Sequence, residues 1–374
     1  MPQATCRGCG SQVLDRVLDL GMQPGSDHFP RITEPIADER WPLGLWLCGR
    51  CNLVQLGSVT PRLPEPPLAV ESATSRAHAA KSVEAILRSD PHLVGGTVVE
   101  FASHHGGSWL DRLASSGCRL AEADRPADLV VDVHALAHEP EISQALALRT
   151  DRLAPDGLLV LEFHHLLPLV LGSQFDTVRH GHWSYLSLTA LQRLAARQGL
   201  KVLSAIDVPV FGGSLRVTLA HSSIDRAPDV TVQDVLDREA AAGLTDAARL
   251  AGLQDTTLAA SRALHAYLES LRAAGRVVLG YGAPSKAGVL LGVSEIGPDL
   301  LPFTVDAAAA KHGRRIPACG VPIRPVEDLR AARPDVVLVL TWDIVDEVMD
   351  QLEATGGWGA SYIVPLPEPH QVRR

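Results

Sequence analysis

The sequence predicts an α/β protein: a small N-terminal zinc module, a truncated Rossmann-like domain, and a second, C-terminal Rossmann-like α/β domain. Three observations predict it. Two Cys-x-x-Cys pairs, Cys6/Cys9 and Cys48/Cys51, lie in a stretch rich in Cys, Pro and Trp and poor in periodic pattern. A strand–loop–helix pattern starts at Gly96 and another at Arg276. Only ten residues, Cys118 to Ala127, separate the first of those helices from the next buried strand.

Residues 1–65 form the zinc module, and the four prolines between Pro61 and Pro67 read as a linker. The middle domain covers 66–222 and is entered by an amphipathic helix, Ser75 to Arg88. Gly96-Thr-Val-Val-Glu-Phe-Ala102 reads as a strand and Gly106 to Gly117 as its helix. Asp128 to His134 and Gly157 to Glu162 are short, continuous apolar runs, as expected of strands covered on both faces. The second follows the turn Pro155-Asp156-Gly157. Ser187 to Gln198 is a helix closed by Gly199. Leu200 to Leu203 and Ser214 to Ala220 read as the last two strands. Residues 223–275, mostly helical from Val232 to Ala274, form a connector. Residues 276–374 carry strands at Val277–Tyr281, Phe303–Asp306, Val336–Leu340 and Ser361–Val364.

The ten-residue gap decides much about function. A nucleoside-binding sheet needs a second strand there, with a carboxylate at its tip for the ribose hydroxyls. If Cys118 to Asp124 were that strand, it would rise about 23 Å at ~3.3 Å per residue. Arg125-Pro126-Ala127 spans only ~10 Å and cannot return the chain to the foot of a parallel neighbour. The sequence therefore predicts either no second strand or a hairpin, and in both cases the ribose and adenine half-site is lost.

Bulk properties narrow the classes further. At 374 residues the chain has room for two or three cored domains. A net charge of −9 excludes broad nucleic-acid binding, which needs a basic face. No apolar run reaches the length of a membrane span, and no signal-peptide pattern opens the chain. A soluble, cytoplasmic protein acting on a small molecule is the expectation, with a protein partner from the same pathway left open.

The two Cys-x-x-Cys knuckles each offer two thiolates on a tight turn, together the four soft ligands of a tetrahedral structural zinc site. The alternatives are four free thiols or a redox pair. Cys118 and Cys319 have no matching partner.

The residues now resemble a known family. Cys6-Arg-Gly-Cys9-Gly-Ser, Leu18-Asp-Leu-Gly21-x-Gln23-Pro24 and Cys48-x-x-Cys51-x-Leu-Val-Gln55-Leu are similar to the zinc module of bacterial sugar C-methyltransferases. Phe175-Asp176-Thr177, His180-x-His182, Ser184-Tyr185-x-Ser187 and Gly212-Gly-Ser214-Leu-Arg216-Val continue the likeness. Gly280-Tyr281-Gly-Ala-Pro-Ser285-Lys286-Ala, Trp342 and Trp358-Gly359 carry it to the C-terminal domain. The resemblance implies an enzyme that modifies nucleotide-linked deoxysugars in antibiotic pathways, using S-adenosylmethionine.

The departures fall where methyl transfer would occur. The family's donor loop reads Glu, an apolar residue, Gly, Ser, Asn, Asp, Gly; here it is Glu100-Phe-Ala102-Ser103-His104-His105-Gly106. Glu100, Ser103 and Gly106 survive as vestigial donor contacts, while the glycine that lets backbone approach a ligand has become Ala102. The family's Tyr-His-Glu-His is Arg179-His180-Gly181-His182, and the histidine before the Gly-Gly-Ser turn is Phe211. The resemblance implies His182 as a general base that takes a proton beside a sugar ketone, with His180 two residues before it. The alternative is that both are inherited, hydrogen-bonded histidines. His165, beyond the Glu162 strand, with Arg179, Tyr185, Ser214, Arg216, Tyr281, Ser285 and Lys286, makes up the expected substrate contacts. His134, His138 and His164 add a His-rich rim, which leaves a second metal open. The loop at 280–286 can offer amides and the Lys286 charge to a phosphate, or be a tight turn with a solvated lysine.

Three functions follow: a repurposed enzyme that abstracts protons without the methyl donor, an S-adenosylmethionine-dependent C-methyltransferase, and a non-catalytic binding subunit. The missing strand favours the first.

Overall fold

The computed structural model describes residues 5–35, 38–57, 71–101 and 107–373. The 61–67 linker and the donor-loop positions 102–106, Ser103 and Gly106 included, lie outside them. The N-terminal part is built on β1 (Leu14–Pro24), β2 (Arg40–Cys48) and β3 (Val54–Leu56), paired antiparallel. The sequence shows no clean alternation here because β1 carries register shifts between Arg16 and Leu18 and between Asp19 and Met22. A bulge puts neighbours such as Val17 and Leu18 into the core together and breaks the period of two.

Helix α1 (Ala73–Ser89) starts where the Ser72 side chain accepts from the Ser75 amide. It leads to β4 (Thr97–Phe101), α2 (Leu110–Ser115) and β5 (Arg119–Leu120). The gap is therefore bridged by neither of the expected routes. A second strand exists and runs parallel to β4, Arg119 opposite Thr97 and Leu120 opposite Val98, but it is two residues long. Because it stops at the foot of the sheet, the chain need only cross β4 to reach the start of β6 (Ala127–Val133). Two strand spacings are about 10 Å, within reach of the six residues 121–126.

Next come α3 (Ile142–Asp151), β7 (Leu153–His164) and α4 (Leu166–Leu171). The expected turn at Pro155–Gly157 is absorbed into β7 as an irregularity: Ala127 faces Leu153, whereas Leu129 faces Leu158. After β8 (Ser184–Tyr185) and α5 (Leu188–Arg197), β9 (Leu200–Val208) and β10 (Ser214–His221) return antiparallel. The sheet order is β5-β4-β6-β7-β10-β9, a truncated Rossmann-like arrangement. Strand β8 leaves this sheet and pairs with β3, Tyr185 opposite Val54, completing the N-terminal sheet.

Helices α6 (Val230–Ala242) and α7 (Ala247–Ala273) open on capping Asp229 and Asp246, and α6 ends on left-handed Gly243. The C-terminal sheet follows: β11 (Val278–Tyr281), α8 (Ala287–Val293), β12 (Thr304–Val305), β13 (Arg314–Arg315), β14 (Pro322–Arg324), α9 (Val326–Ala332), β15 (Val336–Val339), α10 (Val345–Ala354), β16 (Ser361–Val364) and β17 (His370–Val372). Its order is β13-β14-β12-β11-β15-β16-β17, parallel at the centre and antiparallel at both edges. Leu18 and Leu45 of the N-terminal sheet share a core with Leu264 of α7 and Leu290 of α8. Cys6, Cys48 and Cys51 share another with Leu146 and Leu194 of the middle domain. Among the described residues no helix is long and apolar enough to cross a membrane.

Candidate functional site

The four cysteines converge. Cys6 Sγ lies 3.4 Å from Cys51 Sγ and Cys9 Sγ 3.6 Å from Cys48 Sγ, with all four sulfurs within 4.8 Å of one another. A tetrahedral Zn–S₄ centre with bonds of about 2.3 Å has sulfur–sulfur edges near ~3.8 Å, so the cradle fits zinc. As bare thiols, a hydrogen bond from Cys51 pulls Cys6 down to about 5 while Cys51 itself is pushed up. Four sulfurs leave no open coordination position, so the site is structural. Among the described residues no other group of three or more His, Cys, Asp or Glu side chains converges on an ion. The His-rich rim is therefore not arranged as a second metal site.

A separate cavity of about 260 Å³ is lined by residues that follow the C-terminal ends of parallel strands in two sheets. From the first sheet come His134 after β6 and His164 at the end of β7; from the second come Ser285 and Lys286 after β11 and Asp343 after β15. In each sheet the first strand has later strands on both sides, so both ends are topological switch points, where α/β sheets bind ligands. Arg179 and His182 add a third wall.

Beneath this cavity Glu162 is 1% exposed, and its Oε1 lies 2.6 Å from His78 Nε2 and 3.4 Å from His134 Nε2. Burial alone would raise the Glu162 pKa, but the His134 and His78 rings beside it outweigh that and hold the carboxyl at about 2. His164 is the opposite case: burial, then the nearby His134 and Lys286 charges, push it down to about 3. It is a neutral ring whose Nε2 donates to the Phe211 carbonyl.

The predicted residues separate into those the fold gathers and those it does not. His182 lines the cavity, its ring 4.9 Å from that of His138 and 4.6 Å from that of Tyr185. Arg179, Ser285 and Lys286 line it too. Asp27, which sequence reasoning missed, joins two of them: it faces Arg179 Nη1 at 3.5 Å and accepts from the Ser285 hydroxyl. Lys286 is bonded to Asp343 and lies 4.1 Å over the Trp342 ring. Against its burial, Lys286 holds the Asp343 carboxyl below its usual range. Tyr185 stands behind His182, its hydroxyl accepting from the Arg179 amide at 3.0 Å and donating to the Thr177 carbonyl at 3.3 Å.

Several expectations need correction. His180 does not share a face with His182, because the segment is a turn with Gly181 at φ +87° rather than extended chain. Its two ring nitrogens face the Pro24 and Pro42 carbonyls at 3.3 Å, outside the cavity, and burial lowers its pKa. His165 is buried against Glu239, 2.8 Å from Nε2 to Oε1, and cannot meet a ligand; strand alternation gives that place to His164. The Ser214 hydroxyl is buried and donates to the Val210 carbonyl. Arg216 stands opposite Glu162 on the neighbouring strand and does not line the cavity. Tyr281 lines a different cavity of about 290 Å³ and donates to Gln351 at 3.0 Å. The vestigial Glu100 is spent internally, accepting from the Trp109 amide at 2.6 Å and the Ser108 hydroxyl at 2.5 Å. His78 was not foreseen. Its signal was a polar pair, His78 and Ser82, on the buried face of α1 beside Ala79 and Val83.

The fold and the two sites define a class: a zinc-stapled protein in which two Rossmann-like sheets close on one cavity. Two family models match it, the "Putative zinc binding domain" over residues 6–63 and the "C-methyltransferase C-terminal domain" over 209–367. At both ends the chain is thus similar to the C-methyltransferases that these models describe. It is 28% identical over 413 residues to C-methyltransferase NovU of Streptomyces niveus, covering 99% of this chain and 97% of that relative. That span exceeds the 374 residues of this chain by 39, so the relative fills positions that this chain does not. Among solved structures, it is similar to magnesium protoporphyrin IX methyltransferase (ChlM) of Synechocystis PCC 6803, at 13% identity over 44% of this chain and 90% of that one, with a TM-score of 0.31. It is also similar to the 1,6-didemethyltoxoflavin-N1-methyltransferase of Burkholderia thailandensis, at 14% identity over 47% and 96%, with a TM-score of 0.29.

Proposed function

We propose that the protein abstracts a proton beside the carbonyl of an anionic, nucleotide-sugar-like small molecule without using S-adenosylmethionine, leading to epimerisation, elimination or ring closure. The observation that carries this reading is the length of β5. It ends at Leu120, level with Val98, whereas the ligand end of the sheet lies at Phe101. The next carboxylate, Glu122, is exposed beside Arg125 and does not line the cavity. In this reading a donor bound in the family manner lacks the carboxylate that a full second strand would carry to its ribose.

In this reading His182 is the base, an imidazole in the cavity wall. Arg179, Ser285 and Lys286 donate hydrogen bonds to the anionic part of the ligand, and Asp27 and Asp343 fix where those donors stand. The zinc staples the N-terminal sheet and takes no part in the chemistry. Incubation with a nucleotide-linked keto-deoxysugar in deuterated buffer tests it. Deuterium enters beside the carbonyl with no donor added, and His182→Ala slows entry at least about 100-fold. Product that forms only when S-adenosylmethionine is supplied contradicts the proposal. Donor-dependent C-methylation of a nucleotide-linked deoxysugar is the second reading, favoured by the near full-length likeness to NovU.

A further inference from the structure

We propose that His134, backed by Glu162, is a second proton-transfer group of the cavity, set to return a proton to the carbon that His182 deprotonates. The inference rests on the proton-abstraction reading and specifies it as inversion at that carbon.

His134 follows β6 with φ +58°, a left-handed conformation uncommon outside glycine. Its amide donates to the Glu162 carbonyl at 2.7 Å, tying the turn to the adjacent strand. The ring lines the cavity, while its Nε2 is buried 3.4 Å from Glu162 Oε1. The contact falls short of a hydrogen bond but sets the carboxylate charge directly behind the ring. A carboxylate behind an imidazole stabilises the imidazolium formed when the ring takes a proton.

The neighbouring histidines do not compete for this role. His78 Nε2 is engaged with the same carboxylate oxygen at 2.6 Å, and its Nδ1 lies 3.4 Å from the Ser82 hydroxyl, so it positions Glu162. His164 is bonded to the Phe211 carbonyl. Nor do His78, Glu162 and His134 bring ligand atoms together as a metal site would. His134 packs with Phe211 and His164, at ring separations of 5.2 and 6.5 Å, whereas His182 packs with His138 and Tyr185. The His134 and His182 imidazoles thus stand in two separate ring groups of the cavity wall.

In the step this implies, His182 takes the proton and the C–H electron pair moves into the carbonyl to form an enolate. Protonated His134 then delivers its proton to the other face of the carbon, and the carbonyl reforms. No electrons are gained or lost. The product is the epimer, and solvent restores both rings to their starting charge.

The test uses the full-length protein and a nucleotide-linked keto-deoxysugar in deuterated buffer, following exchange beside the carbonyl separately from conversion to the inverted product. His134→Asn suits it, since asparagine tolerates the left-handed backbone. Exchange through His182 is expected to stay within about threefold while conversion falls about 100-fold or more. Glu162→Gln is expected to slow conversion and move its pH midpoint, which loss of a packing contact alone would not do. Conversion that is unchanged in His134→Asn, or that falls in step with exchange, overturns the inference. Absence of exchange in the unaltered protein overturns the parent reading, and this one with it.

Discussion

The Ala121 amide donates to the Val98 carbonyl at 3.0 Å, and with that rung the pairing of β5 ends. Beyond it, β4 runs on through Phe101 with no described neighbour on that side. The shortening thus removes the ligand end of the strand and keeps its foot. His78, His134 and His164 line the cavity nearby.

Zinc analysis of the purified protein is expected to give about one ion per chain, bound by Cys6, Cys9, Cys48 and Cys51. Cys48→Ser is expected to lose it and lower Tm, at a cost of several kcal/mol. That is less than the ~10–16 kcal/mol of peptides whose whole fold depends on the ion, because Leu53 and Leu194 pack the cysteines into a larger core. A metal-free variant with unchanged Tm would show that the knuckles are not a staple.

Stability should carry the signature of Glu162. Its folded pKa of about 2 lies below the ordinary 4.5, so its contribution is fully present above pH 4.5 and lost as pH falls toward 2. Urea unfolding at a series of pH values in this window should show a shallower slope in Glu162→Gln, by up to about 1.4 kcal/mol per pH unit. Identical slopes would mean the carboxylate is not held by its histidines.

Arg149 and Asp132 form a buried pair, Nη2 to Oδ2 at 2.7 Å, and the second carboxylate oxygen accepts from the amides of Ala135 and Leu136. This fixes the turn that carries His134. Asp132→Ala leaves the buried guanidinium only the more distant Glu139, at 3.7 Å, and is expected to cost about 3–5 kcal/mol in urea unfolding. A cost below about 1 kcal/mol would show that the pair is dispensable.

What the sequence disclosed follows from the range of the interactions involved. The cysteine knuckles, the apolar runs of β6 and β7 and the helix start at Ser187 are local patterns, and each is found where the residues indicate. The steric limit on residues 118–127 was also legible, although its resolution as a two-residue parallel strand was not. Contacts across the chain were hidden. Nothing near Tyr185 says that it extends a sheet begun at Leu14, and nothing near Asp27 says that it meets Ser285. His180 lies outside the cavity that His182 lines because the glycine between them permits a turn that a strand period cannot show. His165 was preferred to His164 because the face of β7 turned to the cavity depends on a register set by β6 and β10.

Titration calorimetry of the zinc-loaded, full-length protein with S-adenosylmethionine and S-adenosylhomocysteine bears most directly on what this chain has become. Without a ribose-gripping acid at the tip of a full second strand, neither ligand is expected to bind at micromolar concentrations. Saturable micromolar binding of either would contradict that and return the protein to donor-dependent methyl transfer.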